Sequence, residues 1–112
     1  MKDCIFCKII AGEIPSPRVY EDADFICIRD IRPQAKTHLL VIPKSHLPTL
    51  EQGAEHPELM GKLLATTTRI AREQGLLPAG FRSVINTGVA GGQTVFHLHL
   101  HILGGETLSE SL

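Results

Sequence analysis

The sequence has almost no net charge: eleven lysines and arginines stand against twelve aspartates and glutamates, a formal balance of -1. No long-range field therefore draws it to nucleic acid or to an acidic membrane, and neither partner is expected. It also lacks any apolar run near the ~20 residues of a membrane span. Lys2 and Asp3 lead into a short, mixed apolar stretch unlike a secretion signal. Its three cysteines are an odd number, with Cys4 and Cys7 in a C-x-x-C rather than a disulfide framework. The expected compartment is the cytoplasm. Internal repeats, linkers and low-complexity tracts are missing as well, so 112 residues read as one domain, 1–112. Hydrophobic content of 43% and charged content of 21% exclude disorder. A core this small is modestly stable unless a partner subunit or a metal adds to it.

The local patterns predict an α+β fold, an antiparallel sheet of about five strands with one long and one short helix. Residues 4–11 suit the short helix, with Ile5/Ile9 and Phe6/Ile10 at four-residue spacing and Gly12 and Pro15 ending it. Strands are expected near Val19–Glu21 and Phe25–Arg29, and Leu39–Ile42 reads as a central strand closed by Pro43. Residues 57–74 form the long helix, with Pro57 at its start and Gly75 at its end. Met60, Leu63, Leu64, Thr67, Ile70 and Ala71 mark its sheet-facing side. Two last strands, Arg82–Asn86 and Phe96–Leu103, flank a glycine-rich loop at Gly88–Gly92. Cys27 reads as packing and His56 as a surface residue.

The informative segment is Phe96-His97-Leu98-His99-Leu100-His101-Ile102. Period-two alternation puts the three histidines on one sheet face and the four apolar residues on the other, beneath a helix. An exposed face that merely tolerates histidines is one reading. A single metal bound by all three is another, although His97 and His101 would have Cα atoms ~13 Å apart, near the limit of two side chains. The third is a catalytic His99 flanked by supporting imidazoles, and chemistry favours it. Neutral imidazole is an available nucleophile near pH 7 and, once phosphorylated, a good leaving group. Phosphoryl transfer also needs donors around the nonbridging oxygens. Asn86-Thr87-Gly88-Val89-Ala90-Gly91-Gly92-Gln93-Thr94, just upstream, offers glycines whose amides can approach an anion, plus amide and hydroxyl side chains.

On these residues the sequence resembles the histidine triad (HIT) superfamily, specifically its Hint-like branch of purine nucleoside phosphoramidases, in the bacterial form with a C-x-x-C. The resemblance runs over nearly the whole chain: Ile5-Phe6-x-Lys8-Ile9-Ile10, Asp30-Ile31-x-Pro33-Gln34-Ala35, Thr37 to Lys44, and Gly91-Gly92-Gln93 through Gly105. It implies that His99 attacks phosphorus and carries a transient adenylate, that His101 contacts the phosphate, and that His38 orients the catalytic imidazole. It implies further that Asp30 accepts the ribose hydroxyls and that Asn86, Gly92, Gln93 and Thr94 meet the phosphate or the leaving group. Ile5, Phe6, Ile9, Ile31 and Leu40 would line the purine slot. The implied reaction is hydrolysis of adenosine 5′-monophosphoramidate-type conjugates without magnesium, by a homodimer. Alternatives are a dinucleoside polyphosphate hydrolase of the same superfamily and a nucleotide-binding regulatory protein with incidental hydrolysis. Position 94 is threonine where many relatives have serine, and the tail Glu106–Leu112 is short and lacks an aromatic residue.

Cys4-x-x-Cys7 spaces two thiols about one helical turn apart, half of a tetrahedral site; the bland reading is two idle thiols. The resemblance supplies the other half, His46 and His97, and implies a structural zinc that joins the amino-terminal helix to the catalytic strand.

Overall fold

The aliphatic runs that read as strands pair into one antiparallel sheet in a computed structural model that describes residues 3–111. The ends of the expected 1–112 domain, residues 1, 2 and 112, lie outside the described residues. The strands are β1 (Arg18–Glu21), β2 (Phe25–Arg29), β3 (Thr37–Pro43), β4 (Arg82–Val84) and β5 (Leu100–Gly104), in spatial order β1-β2-β3-β5-β4. Central β3 is buried along almost its full length, as a continuous apolar run requires. One sheet face packs on helix α3 (Pro57–Glu73): Phe25, Cys27, Leu39, Val41, Leu100 and Ile102 meet Leu63, Ile70 and Ala71. The other carries Ile26, Ile28, Leu40 and Ile42 under Phe6 and Ile9 of helix α1 (Ile5–Ile10). Cys27 is fully buried and His56 exposed, as expected.

The chain departs from the sequence expectations in four places, each with a local cause. A further one-turn helix, α2 (Leu50–Gly53), is nucleated by a capping box in which Thr49 and Gln52 exchange hydrogen bonds. Leu64 is 56% exposed; the buried stripe of α3 runs through Leu63, Thr67, Ile70 and Ala71 instead. The last strand starts at Leu100 rather than Phe96, because the Leu98 amide donates to the Leu47 carbonyl (2.7 Å) instead of extending the β3 ladder. Phe96 consequently leaves the apolar layer and is 43% exposed. Strand β4 ends at Val84, opposite His101, and the expected extension to Asn86 would need a partner at position 99, before β5 begins.

Register fixes which side chains share a face. Leu40 lies opposite His101 and His38 opposite Leu103, so His38, Leu40 and His101 all point to the α1 side. The turn after β5 is tight. Gly105 sits at φ +81°, where an added Cβ would lie 2.8 Å from Thr37 Oγ1, and its neighbour Glu106 accepts from the Lys36 amide (2.7 Å). Gly12 has the same φ of +81° with nothing near it. Gly12→Ala is therefore expected to lose about 1 kcal/mol from backbone strain alone. Gly105→Ala should lose about 3 kcal/mol, strain plus clash. Urea unfolding of the two variants measures the difference, and equal losses would mean the turn relaxes freely.

Candidate active site

Helix α1 begins with an unusual cap. Cys4 occupies the N-cap, and its sulfur accepts from the Cys7 amide at 3.3 Å. Residues of this type are rarely chosen to cap, since oxygen is the better acceptor. The cap brings both thiols toward the segment before β5. There Cys4 Sγ lies 3.2 Å and Cys7 Sγ 3.6 Å from His97 Nδ1. His46, from the loop after β3, completes the group, with Nδ1 3.3 Å from Cys7 Sγ and 3.1 Å from His97 Nδ1. All four ligand atoms lie within 4.8 Å of one another. A tetrahedral zinc with bonds of about 2.0–2.3 Å has ligand–ligand edges of about 3.3–3.8 Å, so the set fits such an ion. The ring chemistry fits as well. His97 Nε2 faces the Pro43 carbonyl at 2.7 Å, which can only accept, so Nε2 carries the proton and Nδ1 presents a lone pair. Burial, followed by the Cys4 side chain, pushes the Cys7 thiol above its ordinary value, as expected of adjacent sulfurs that lack a counter-charge. Cys4, Cys7, His46 and His97 could thus hold a metal ion.

The same logic fixes the other two rings of the alternating segment. His99 Nδ1 lies 2.8 Å from the His97 carbonyl, so Nδ1 must donate and Nε2 is left with its lone pair. His38 Nδ1 accepts from the Gln34 amide at 2.9 Å, which places the His38 proton on Nε2. That proton points to His101 Nδ1 at 2.9 Å, with Asp30 Oδ2 3.4 Å away. His101 Nδ1 therefore accepts and His101 Nε2 carries the proton. The outcome is one imidazole with a free lone pair, His99, beside one with a free N–H, His101, ring centroids 5.0 Å apart. Phe6 stands edge-on to both His97 and His99, at 5.9 and 5.1 Å, and holds α1 against the pair.

The structure thus brings His38, His97, His99, His101 and Asp30 together, and puts Phe6, Ile9 and Leu40 in one buried group beside them. Ile5 and Ile31 are instead at the surface, 46% and 92% exposed. The glycine-rich loop differs from the anion cradle expected of it. The amides of Gly91, Gly92 and Gln93 bond to carbonyls of Gly88 and Val89 within the loop. The Gly88 amide donates to Gln93 Oε1 (2.8 Å), and the Gln93 amide group donates to the Pro48 and Val95 carbonyls at 2.7 and 3.0 Å. Gln93 is buried and acts as a brace with no proton left over. Asn86 uses one amide proton on the Gly91 carbonyl and keeps the other, and Thr94 is exposed. Sequence reasoning missed four contributors: the Gln34 amide, the Pro43 and His97 carbonyls and the ring contact of Phe6 with the histidines. Three of them are main-chain groups, which no residue type reveals.

Burial holds the His38 ring below the ordinary histidine value, against a smaller opposing pull from Asp30. Burial, then His99 and His38, brings His101 down to about 4. Both are neutral at pH 7. Each binds a proton more readily in the unfolded chain, so stability falls as pH drops through about 6.5 and continues to fall toward about 4. The urea midpoint should decline across that window, and less steeply in His101→Gln. Parallel profiles for the two proteins would rule out the buried ring as the cause.

The comparisons with known proteins agree with this geometry. The HIT domain family matches residues 11–108. Purine nucleoside phosphoramidase of Escherichia coli is 43% identical over 112 residues, 99% of this chain and 94% of that one. A HIT family hydrolase from Legionella pneumophila superposes with a TM-score of 0.93 at 44% identity, covering 97% of this chain and 98% of the other. A zinc-bound histidine triad family protein from Mycobacterium smegmatis does so with a TM-score of 0.83 at 43% identity, covering 97% and 81%. On that evidence, with the alternating histidines folded into a single site, the chain belongs to the HIT domain family, alongside the hydrolases of that family.

Proposed function

We propose that the protein hydrolyses purine nucleoside 5′-phosphoramidates, of the adenosine 5′-monophosphoramidate type, through a nucleotide bound covalently to His99. One observation carries the reading. The His97 carbonyl accepts a hydrogen bond from His99 Nδ1–H, which holds the proton on Nδ1 and leaves the Nε2 lone pair free without any separate base. In the first step Nε2 attacks phosphorus. The P–N bond breaks, and the amine leaves with its electron pair and takes a proton from solvent. The phosphoryl-imidazolium that forms keeps its Nδ1–H on the His97 carbonyl, where the positive charge is stabilised. In the second step water attacks phosphorus and gives up a proton to solvent, the electron pair of the P–N bond returns to Nε2, and the nucleoside monophosphate is released.

The remaining roles follow from which groups are free. His101 Nε2–H is a neutral donor to the nonbridging oxygens, kept in that form by the His38 contact. The Thr94 hydroxyl and the second amide proton of Asn86 serve the phosphate or the leaving group. Gly92 and Gln93 act indirectly, by closing the loop that presents Asn86 and Thr94. Asp30 holds its own turn through Oδ1, which accepts from the Arg32 amide (2.8 Å), and offers Oδ2 to the ribose hydroxyls. The exposure of Ile31 and Ile5 supports a purine slot between them above Phe6, Ile9 and Leu40, since large apolar side chains at a site edge are suited to an aromatic ligand. Donors from the chain surround the phosphate, so no magnesium is required. Zinc, held by Cys4, Cys7, His46 and His97, would supply a structural clamp between α1 and the segment before β5. The open edge of β4 supports pairing with a second copy in a homodimer.

Replacing His99 by glycine is expected to reduce turnover of an adenosine phosphoramidate by on the order of 10³-fold or more. Adenosine monophosphate affinity should stay within a few-fold, read by calorimetry. The intermediate should be trapped on His99 of the wild-type protein by acid-free quench and mass spectrometry. Full turnover in the variant, or the label on another residue, would exclude the mechanism.

A further inference from the structure

One residue belongs to two sites. His97 is fully buried, and each of its polar atoms other than the amide nitrogen has a partner of a different kind. Its Nδ1 faces Cys4, Cys7 and His46. Its Nε2–H is anchored on the Pro43 carbonyl, and its own carbonyl receives the His99 Nδ1–H. With the ring fully buried and its Nε2–H held on the Pro43 carbonyl, rotation about the side-chain bonds has little room, so a shift of the ring is passed to the backbone that carries the His97 carbonyl. We propose that the Cys4–Cys7–His46–His97 cluster positions the nucleophile as well as stabilising the fold: a cation held there sets, through His97, the orientation of the His99 ring. The inference rests on the reading of His99 as nucleophile.

The forces in the cluster give the proposal its direction. His97 Nδ1 presents its lone pair to His46 Nδ1 3.1 Å away, and the two nitrogens repel unless a cation or a proton lies between them. With a cation all four groups are attracted to one point. Without it only pairwise thiol and imidazole hydrogen bonds hold the four together, and they sit on separate segments: Cys4 caps α1, Cys7 lies in its first turn, and His46 is on a loop. Phe6, between those two cysteines on α1, touches the His97 and His99 rings at once. Loss of the cation therefore releases the carbonyl that orders the His99 ring and the aromatic edge that covers it. His97 is a positioning residue in this scheme, and it does not touch the substrate.

The test uses the full chain stripped of metal with a chelator, reloaded with zinc chloride, and held at one pH and well below the unfolding midpoint. Histidine-labelled protein reports the His99 ring by ¹⁵N NMR, independently of turnover. In the zinc form one Nδ1–H tautomer of His99 is expected; in the stripped form its signals should shift and split. The same removal should lower kcat on an adenosine phosphoramidate at least tenfold with KM changed less, and zinc should restore both. Leu63→Ala destabilises the opposite face and serves as the control, with the His99 signals and kcat unchanged at the same temperature. Stripped protein that stays folded with kcat within twofold and an unaltered His99 spectrum would overturn the proposal and leave the cluster a plain clamp. If stripping unfolds the chain, cadmium loading keeps all four ligands with longer bonds. Displaced His99 signals and reduced kcat relative to zinc then support the proposal, and identical values overturn it. Because the NMR signal does not depend on catalysis, a His99 ring that responds to metal while His99→Gly retains turnover would sink the nucleophile reading alone.

Discussion

The pairing of β3 with β5 is the constraint from which the site follows. Opposing Leu40 and His101 across the ladder commits every second residue of both strands to one face, and that face is the α1 side. A one-residue slip of β5 against β3 would turn His101 under α3, among Leu63, Ile70 and Ala71 and away from His38. The apolar set Leu39, Val41, Leu100 and Ile102 prevents the slip, since it would lose its own core in the process. The histidine face is thus specified largely by the hydrophobic residues on the other side of the sheet.

Once the imidazoles share a face, hydrogen-bond accounting does the rest. A carbonyl cannot donate and an amide cannot accept, so three main-chain groups assign the protons of three rings. The Pro43 carbonyl does this for His97, the His97 carbonyl for His99 and the Gln34 amide for His38. His101 receives its assignment second-hand, from His38. Buried neutral histidines are expensive unless both nitrogens are satisfied, so this wiring is a stability requirement as much as a chemical one. It also explains why four histidines close together do different things: the nitrogen each leaves free is set by what the main chain has already taken.

The glycine-rich loop shows how composition can mark a segment without showing how its amides are used. Its glycines do allow an unusual backbone, with φ of +73° at Gly88 and +84° at Gly92. That freedom is used to fold the loop onto itself around the buried Gln93 carboxamide, and the unspent donors are left to side chains at its edges. The C-terminal turn works similarly at a distance. Glu106 holds the Lys36 amide, which ties the tail to the loop that carries Asp30 and Gln34.

Much was legible from the chain alone. Alternation of histidine with leucine needs only the period of a strand to put His99 and His101 on one face, and the aliphatic stripe of α3 needs only the period of a helix. The C-x-x-C spacing marked half of a metal cluster, and the motifs around Asp30, His38 and the last strand carried the family. The tertiary structure decided what depends on groups every residue possesses: where β5 starts, which amides the loop uses internally, which nitrogen of each ring holds the proton, and that the His97 ring faces the cysteines while its carbonyl faces His99. Side-chain identity repeats at intervals that sequence displays. Main-chain donors and acceptors are the same at nearly every position, so their pairing emerges only when distant segments are brought within 3 Å of each other.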